Sequence, residues 1–439
     1  MLAAMPPTPP ATPNPGEPLI RDRGDACPGA LRLHPADDGR LARLRLPAGL
    51  LTPHQVEVLA TAAEVLGDGR VSVTSRGNVE LRGLGEDCGT RLAELLAPAG
   101  LLPSPTHERV RNIVASPAAG LDGLGHGAVQ LWARELDELL CAREWTAALS
   151  GRFLFVLDDG RGDVAGLGGD VTLIAAASSA DGEGADGIRD PDTRGASTAL
   201  LHVGAQVFRV AAADAGAAPR AALAAAEAFL EAARGAGNGA WRVRELPEGH
   251  EPDLAGALAR AGIEAEPVPP SDLPGAEPPA PGVLGATALH VLAPLGRLTA
   301  EQLRALAASA DEVRFTPWRG VVVAGTPAAT AGDRLAELES YGLITRPDSP
   351  WAGVSACTGR PGCAKSLADV RADAVPGRVG LPVHYSGCER RCGHPQRSDG
   401  TWVDVLAGAD GAYLVNGVPT PRTSLTEAVA TARTTRTTR

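Results

Sequence analysis

The chain has 439 residues, with 41 Lys and Arg against 52 Asp and Glu, a formal charge of −11 at pH 7. Hydrophobic residues make up 44% and charged residues 21%, a globular balance that excludes wholesale disorder and leaves room for about three structural units. The acidic balance argues against a nucleic-acid partner, and no apolar run approaches the roughly 20 residues of a membrane span.

The Pro-rich segment 1–18 is expected to be a disordered tail. It lacks a basic-then-apolar signal layout, so a cytoplasmic location is expected. A strand pattern begins around Gly29–His34, turns at Asp38-Gly39 and returns through Arg40–Leu46. A helix then opens at Thr52-Pro-His-Gln55, where a Thr cap, Pro at the first position and Gln at the third form a capping box. Val56, Leu59, Ala60 and Ala63 form its buried stripe, and strands follow across Val71–Gly83. Further on, Trp132, Leu136, Leu139 and Leu140 share a helical face that places Cys141 in core packing, while Cys88 is read as a loop residue. Gly123-Leu-Gly-His-Gly127 imitates a dinucleotide fingerprint but follows a loop rather than a strand, so it supplies no nicotinamide site. Ser178–Arg194 reads as a surface loop, 270–284 as an extended linker and 434–439 as a frayed tail.

A second copy of the opening layout starts near Ala286–Ala293. Its capping box, Thr299-Ala-Glu-Gln302, lies 247 residues after the first, with Leu303, Leu306, Ala307 and Ala310 as its stripe. It closes through Val313–Gly325, where Phe-Thr-Pro-Trp-Arg-Gly matches the earlier Thr-Ser-Arg-Gly turn. A copy of about 60 residues has a marginal core alone, so pairing the two gives a pseudo-twofold arrangement. The expected divisions are 19–85, 86–269, the linker 270–284, 285–346 and 347–439.

Four of the seven cysteines, Cys357, Cys363, Cys388 and Cys392, read C-x5-C and then C-x3-C. In a reducing compartment such clustering points to metal. Structural zinc favours C-x2-C knuckles, whereas iron–sulfur clusters accept more varied loops. Gly359, Gly362, Gly387 and Gly393 let backbone approach inorganic sulfur. A 4Fe–4S cluster is therefore the leading reading, with zinc and unpaired thiols as the others. Cys27, in Asp25-Ala-Cys-Pro-Gly29, either faces a site or is a small buried residue.

The duplicated half-domain together with C-x5-C and C-x3-C resembles the nitrite/sulfite reductase superfamily. Within it, Asp-Ala-Cys-Pro-Gly, Phe-Thr-Pro-Trp-Arg-Gly and Ser-Gly-Cys-Glu-Arg-Arg-Cys-Gly-His-Pro resemble the precorrin-3B synthase family. The resemblance implies an α+β, pseudo-twofold fold with two ferredoxin-like half-domains, each followed by an α/β domain, the second carrying the 4Fe–4S cysteines. It further implies a tetrapyrrole substrate, O2, and a separate electron donor, either an NADH-dependent reductase or ferredoxin. The family reaction is a monooxygenation in cobalamin biosynthesis. One oxygen atom of O2 enters precorrin-3A with closure of a ring A lactone, the other leaves as water, and two electrons come from outside.

By motif, Thr74-Ser-Arg76 with Asn78 and Arg82 is similar to the family segment whose arginine faces tetrapyrrole carboxylates, and Arg111-Asn112 to its Arg-Asn-Val segment. With Arg152 and Arg319 these are the candidate substrate contacts, since arginine grips carboxylates through two parallel hydrogen bonds. The family's Leu-Pro-x-Lys-Phe-Lys appears here as Leu149-Ser-Gly-Arg-Phe-Leu154. In the reductases those lysines contact the small oxyanion and help deliver protons, which Leu154 cannot do. His384 and His394 are the candidate ligands of a mononuclear non-haem iron, or neighbours that hydrogen-bond around the cluster. The alternative activity is a sirohaem-dependent nitrite or sulfite reductase, and a third reading is a tetrapyrrole-binding or scaffolding protein without catalysis.

Overall fold

The computed structural model describes residues 24–25, 27–176, 198–212, 216–377, 380–394 and 402–434. The expected tail 1–18, the loop Ser178–Arg194 and residues 435–439 lie outside these. The chain forms two compact units. The first takes in the described residues up to Gly29, then Leu44–Leu50 and Leu102–Pro278; the second takes in Ala30–Arg43, Leu51–Leu101 and the chain from Pro279 onward.

The first unit is built on a six-stranded sheet in the order Ala265–Pro267, Gln206–Ala211, Thr198–Val203, Val171–Ala176, Phe155–Asp158, Ile113–Ala115. The last three are parallel neighbours and the rest antiparallel. Phe155–Asp158 is buried at every position, the run expected of a strand covered on both faces. The helices Val129–Cys141 and Ala217–Ala236 belong to the same core. The alanine face of the longer helix allows close approach, and Phe229 and Phe155 both pack against Phe153, at centroid distances of 4.9 and 5.2 Å. Each such buried side chain contributes about 1.5–3 kcal/mol.

Both capping-box helices lie in the second unit. Thr52 Oγ1 accepts from Gln55 N while Gln55 Oε1 accepts from Thr52 N, and Thr299 and Gln302 repeat the exchange. The helices span Pro53–Leu66 and Ala300–Ala307. The second is shorter than its stripe implied: Ala308 is extended and Ser309 left-handed, so Ala310 falls outside it. Arg304 joins the pair by reaching Glu57 and Glu64 on the first helix.

The first copy's strands run His34–Ala36, Gly39–Leu44, Val79–Leu84, Arg70–Val73 in space, and Arg297–Thr299 from the second copy closes the edge against Arg70–Val73. The opening strand thus begins at His34, not Gly29, since Ala30–Arg32 form a bend. Cys88 opens the helix Cys88–Leu96 rather than lying in a loop. The second copy's sheet contains Gly282–Leu284, Ala288–Leu292, Gly320–Ala324 and Glu312–Phe315. A further sheet runs Val354–Ala356, Val383–Ser386, Val403–Ala407, Tyr413–Val415, Val418–Thr420, its first three strands parallel. No described helix is long and apolar enough to cross a membrane.

Candidate functional site

The four clustered cysteines leave one edge of the last sheet. Cys357 directly follows Val354–Ala356, and Cys388 comes two residues after the parallel neighbour Val383–Ser386. Carboxyl ends of parallel strands are where α/β sheets place their ligands, because the loops there diverge and leave a crevice. Cys357 N donates to Tyr385 O at 2.9 Å and Leu367 N to Gly387 O at 2.7 Å, tying the two loops together. Gly387 N donates to Cys357 Sγ at 3.2 Å, the type of contact that stabilises a sulfur ligand. All four are free thiols. Burial, followed by the sulfurs of Cys357, Cys388 and Cys363, pushes the Cys392 thiol up, so Cys392 lies in the field of the other three. Gathered unbridged thiols with an N–H donor at sulfur fit a thiolate-held cluster.

The Asp37-Asp38 turn holds the loop that carries Cys363. Arg82 pairs with both Asp38 oxygens at 2.8 Å and donates to Gly362 O at 2.6 Å, and Ala364 N donates to Asp37. Arg82 is thus spent on fastening that loop to the first copy's sheet.

Three further guanidiniums share one another's field, Arg297 and Arg319 acting on Arg371, with Arg319 and Arg371 also in the field of Cys357. Arg319 donates to Gly393 O at 2.8 Å and Arg371 to Leu295 O at 3.1 Å, while Arg297 pairs with Asp68. Burial first, and then the like charge of Arg297 with Arg319 and Arg82, lowers Arg371 to about 10. The Nε atoms of Arg297 and Arg371 are buried and have no hydrogen-bond partner among the described residues. Buried donors left unmade are costly, and like charges in one place need anions. These arginines therefore fit a ligand bearing carboxylates. Motif matching did not single out Arg297 or Arg371. The detectable signal for Arg297 is a difference between copies: Pro-x-Gly-x-Leu-Thr-x-x-Gln occurs at 47–55 and 294–302, with Leu50 where the second copy has Arg297.

Arg319 has φ 61°, the left-handed region that a side chain with Cβ seldom adopts. The hairpin turns superpose by their threonines, Thr74 N donating to Asn78 O and Thr316 N to Gly320 O. Arg319 accordingly stands at the position of Gly77, φ 66°, not that of Arg76 as the Arg-Gly match suggested. Arg76 is half-buried in its turn, its N–H on Thr74 Oγ1.

His384 is buried, and both ring nitrogens are engaged: Nε2 donates to Cys392 O at 3.1 Å and Nδ1 accepts from Ser355 Oγ at 2.8 Å. Burial, followed by the charge of Arg319, lowers it to about 3. The His394 ring meets it edge-on at 5.6 Å, with Nε2 3.6 Å from Asp404 Oδ1. In this arrangement His384 supports the Cys392 loop.

The remaining expected residues lie in the first unit. Arg111 is buried and bound to Asp137 through two contacts of 2.6 Å, with the Cys141 thiol beside it. Cys141 is half-buried at this pair rather than in the apolar core. Asn112 is fully buried and donates to Phe153 O at 2.9 Å. Arg152 is exposed, its guanidinium 5.5 Å from the Trp241 ring centre. Leu154 is only 1% exposed, which turns its side chain into the protein. The 123–127 loop lies against an ion-pair network. Arg161 joins Asp159 and Asp122 and reaches Leu124 O, and Gly125 leaves room for Asp159, whose carboxylate would lie 2.2 Å from a Cβ there.

A model of the nitrite/sulfite reductase ferredoxin-like half domain matches residues 34–99 and 285–341. A precorrin-3B synthase of Sinorhizobium sp is 28% identical over 411 residues, 90% of this chain and 83% of that protein. A ferredoxin–nitrite reductase of Synechococcus elongatus is 29% identical over 425 residues, 88% of this chain and 80% of that one. The solved Mycobacterium tuberculosis NirA protein superposes with a TM-score of 0.68 at 18% identity, covering 91% of this chain and 82% of its own, a likeness of fold.

Proposed function

For this chain, a member of the nitrite/sulfite reductase superfamily, we propose an oxygen-dependent monooxygenase of the precorrin-3B synthase type, acting on a carboxylate-rich tetrapyrrole. Membership implies an oxidoreductase using an iron–sulfur centre and a tetrapyrrole. Cys357, Cys363, Cys388 and Cys392 would hold a 4Fe–4S cluster, which relays electrons from a separate donor. Arg319, Arg297 and Arg371 would bind carboxylates, with Arg82 keeping the Cys363 loop in place. Arg76 and Arg152 are proposed as further substrate contacts. Within the first unit, Asn112 would keep the segment that carries Arg152 in place through the Phe153 carbonyl, beside the Arg111–Asp137 pair.

The observation that supports the choice over a sirohaem-dependent reductase is Leu154, apolar and buried, at the position that motif resemblance matches to a reductase lysine. A small oxyanion needs a cation and a proton source there, and Leu154 provides neither. A mononuclear iron would supply the O2 activation that the reaction needs; of its two candidate ligands, His384 already has both ring nitrogens engaged by Ser355 and Cys392.

Protein purified without oxygen tests this reading. The expected result is broad cluster absorption with about four irons and four acid-labile sulfides per chain, and uptake of an added carboxylated tetrapyrrole. A sharp haem band co-purifying one-to-one would favour the reductase, and zinc without sulfide would exclude both enzymes.

A further inference from the structure

The segment ahead of the first strand is tied to a distant turn in the first unit. Asp25 Oδ1 accepts from Cys27 N at 2.9 Å, and Oδ2 accepts from Ser150 Oγ at 3.0 Å and Gly151 N at 2.6 Å. Arg109 donates to the Asp25 carbonyl at 3.2 Å and stands 3.6 Å from Oδ2. From the other side, Arg45 donates through Nη2 to Gly151 O and through Nε to Arg109 O, each at 3.2 Å. The Gly151 backbone is therefore gripped at its N–H by a carboxylate and at its C=O by a guanidinium. The turn continues inward, with Arg152 N donating to Ser150 Oγ at 3.1 Å and Phe153 N to Ser150 O at 2.9 Å. A side chain at 151 would press on its neighbours, since its Cβ would lie 3.0 Å from Cys27 Cβ and 3.3 Å from Arg109 O. Although burial opposes it, hydrogen bonds from Cys27 and Gly151 and the charge of Arg109 hold the Asp25 carboxyl below its ordinary value.

We propose that Asp25 is a positioning residue: together with Arg45 it clamps the Ser150–Gly151 turn so that Arg152 presents its guanidinium in one fixed direction to a substrate carboxylate. This rests on the reading of Arg152 as a substrate contact given above. Phe153 and Leu154 are buried immediately after the turn while Arg152 is exposed beside Trp241, so the clamp sets the direction in which the Arg152 side chain leaves the turn. Fixing that direction beforehand removes the ordering cost from binding. The same contacts give the Asp25-Ala-Cys-Pro-Gly29 motif a role without chemistry at the Cys27 sulfur.

The test uses the full-length protein with Asp25→Asn, Asp25→Glu, Gly151→Ala, Arg152→Ala and the double change at 25 and 152. Amide exchange at Gly151, Arg152 and Phe153 should rise about ten- to a hundredfold in Asp25→Asn and Gly151→Ala, the scale of one lost charge-assisted hydrogen bond, and recover in part in Asp25→Glu. Affinity for uroporphyrin III, an octacarboxylate probe, should fall about tenfold in Asp25→Asn and no further when Arg152→Ala is added, because the two act through one contact. Unchanged exchange, or binding losses that simply add, would overturn the proposal. Wild-type protein that ignores the porphyrin would instead contradict the reading of the site, and the exchange result would still decide the clamp.

Discussion

Arg319 occupies a left-handed turn position where the first copy has glycine, and its guanidinium reaches Gly393 beside Cys392. Such strain costs roughly 1–2 kcal/mol and persists where the side chain is needed. Arg319→Gly should therefore leave stability unchanged or raise it by about 1 kcal/mol, while tetrapyrrole affinity falls about ten- to a hundredfold. Thermal melting and a binding titration of the variant check both halves; a large loss of stability with intact binding would contradict the account. The cysteines predict the reverse pattern. Cys363→Ser or Cys388→Ser should abolish bound iron and sulfide and lower the melting temperature, because metal binding is coupled to local folding. Metal content and melting curves matching wild type would contradict it.

Arg82 and Arg319 were nameable from short motifs because each belongs to a hairpin with its own local signature, Arg319 in the turn itself and Arg82 in the strand Val79–Leu84 that follows the other turn. Arg297 and Arg371 were not, since their buried, unpartnered Nε atoms come into one field only once segments 74 residues apart in the chain have packed together. Arg111 shows the converse. Its motif suggested the substrate, while Asp137, on a helix face that no local rule connects to it, takes the guanidinium.

Among elements, the starts of the capping-box helices were legible to the residue because a cap is a local bargain between four neighbours, whereas the end of the second was not. The loop after Phe155–Asp158 was not. Asp158 accepts from the backbone of Gly160, Gly162, Val164 and Ala165, Asp159 pairs with Arg161, and Asp163 takes a hydrogen bond from Ser116. Gly162 O then receives Ala276 N of the linker at 3.0 Å. Burial first, reinforced by the charges of Asp158 and Asp159, raises Asp163 to about 7 from 3.8. The folded state therefore holds the extra proton between those values, and stability falls as pH rises from about 4 to 7. Asp163→Asn should remove that slope and stabilise the protein at pH 8 by up to about 4 kcal/mol, with little change near pH 4. Denaturant titrations at both pH values check this, and parallel slopes for variant and wild type would count against it.

At the scale of the whole molecule, the two units use one device differently. Each has a parallel strand pair whose ends carry polar residues: Cys357 and Cys388 follow Val354–Ala356 and Val383–Ser386, whereas Ser116 and Asp159 follow Ile113–Ala115 and Phe155–Asp158. Ser116 N donates to Leu157 O as Cys357 N donates to Tyr385 O. The backbone is shared, and the thiols appear on one side only, so a single cluster is expected per chain. The duplication was visible in the sequence because its periodic and capping signals survive substitution. How the chain interleaves its segments into two units was not, because that depends on contacts between residues far apart in sequence.

The measurement bearing most directly on the central claim is the fate of oxygen. Reduced protein given precorrin-3A under 18O2 should yield a product carrying one labelled oxygen atom, with two electrons consumed per turnover. Label entering only from water, or an unaltered tetrapyrrole alongside brisk reduction of nitrite or sulfite, would contradict the account.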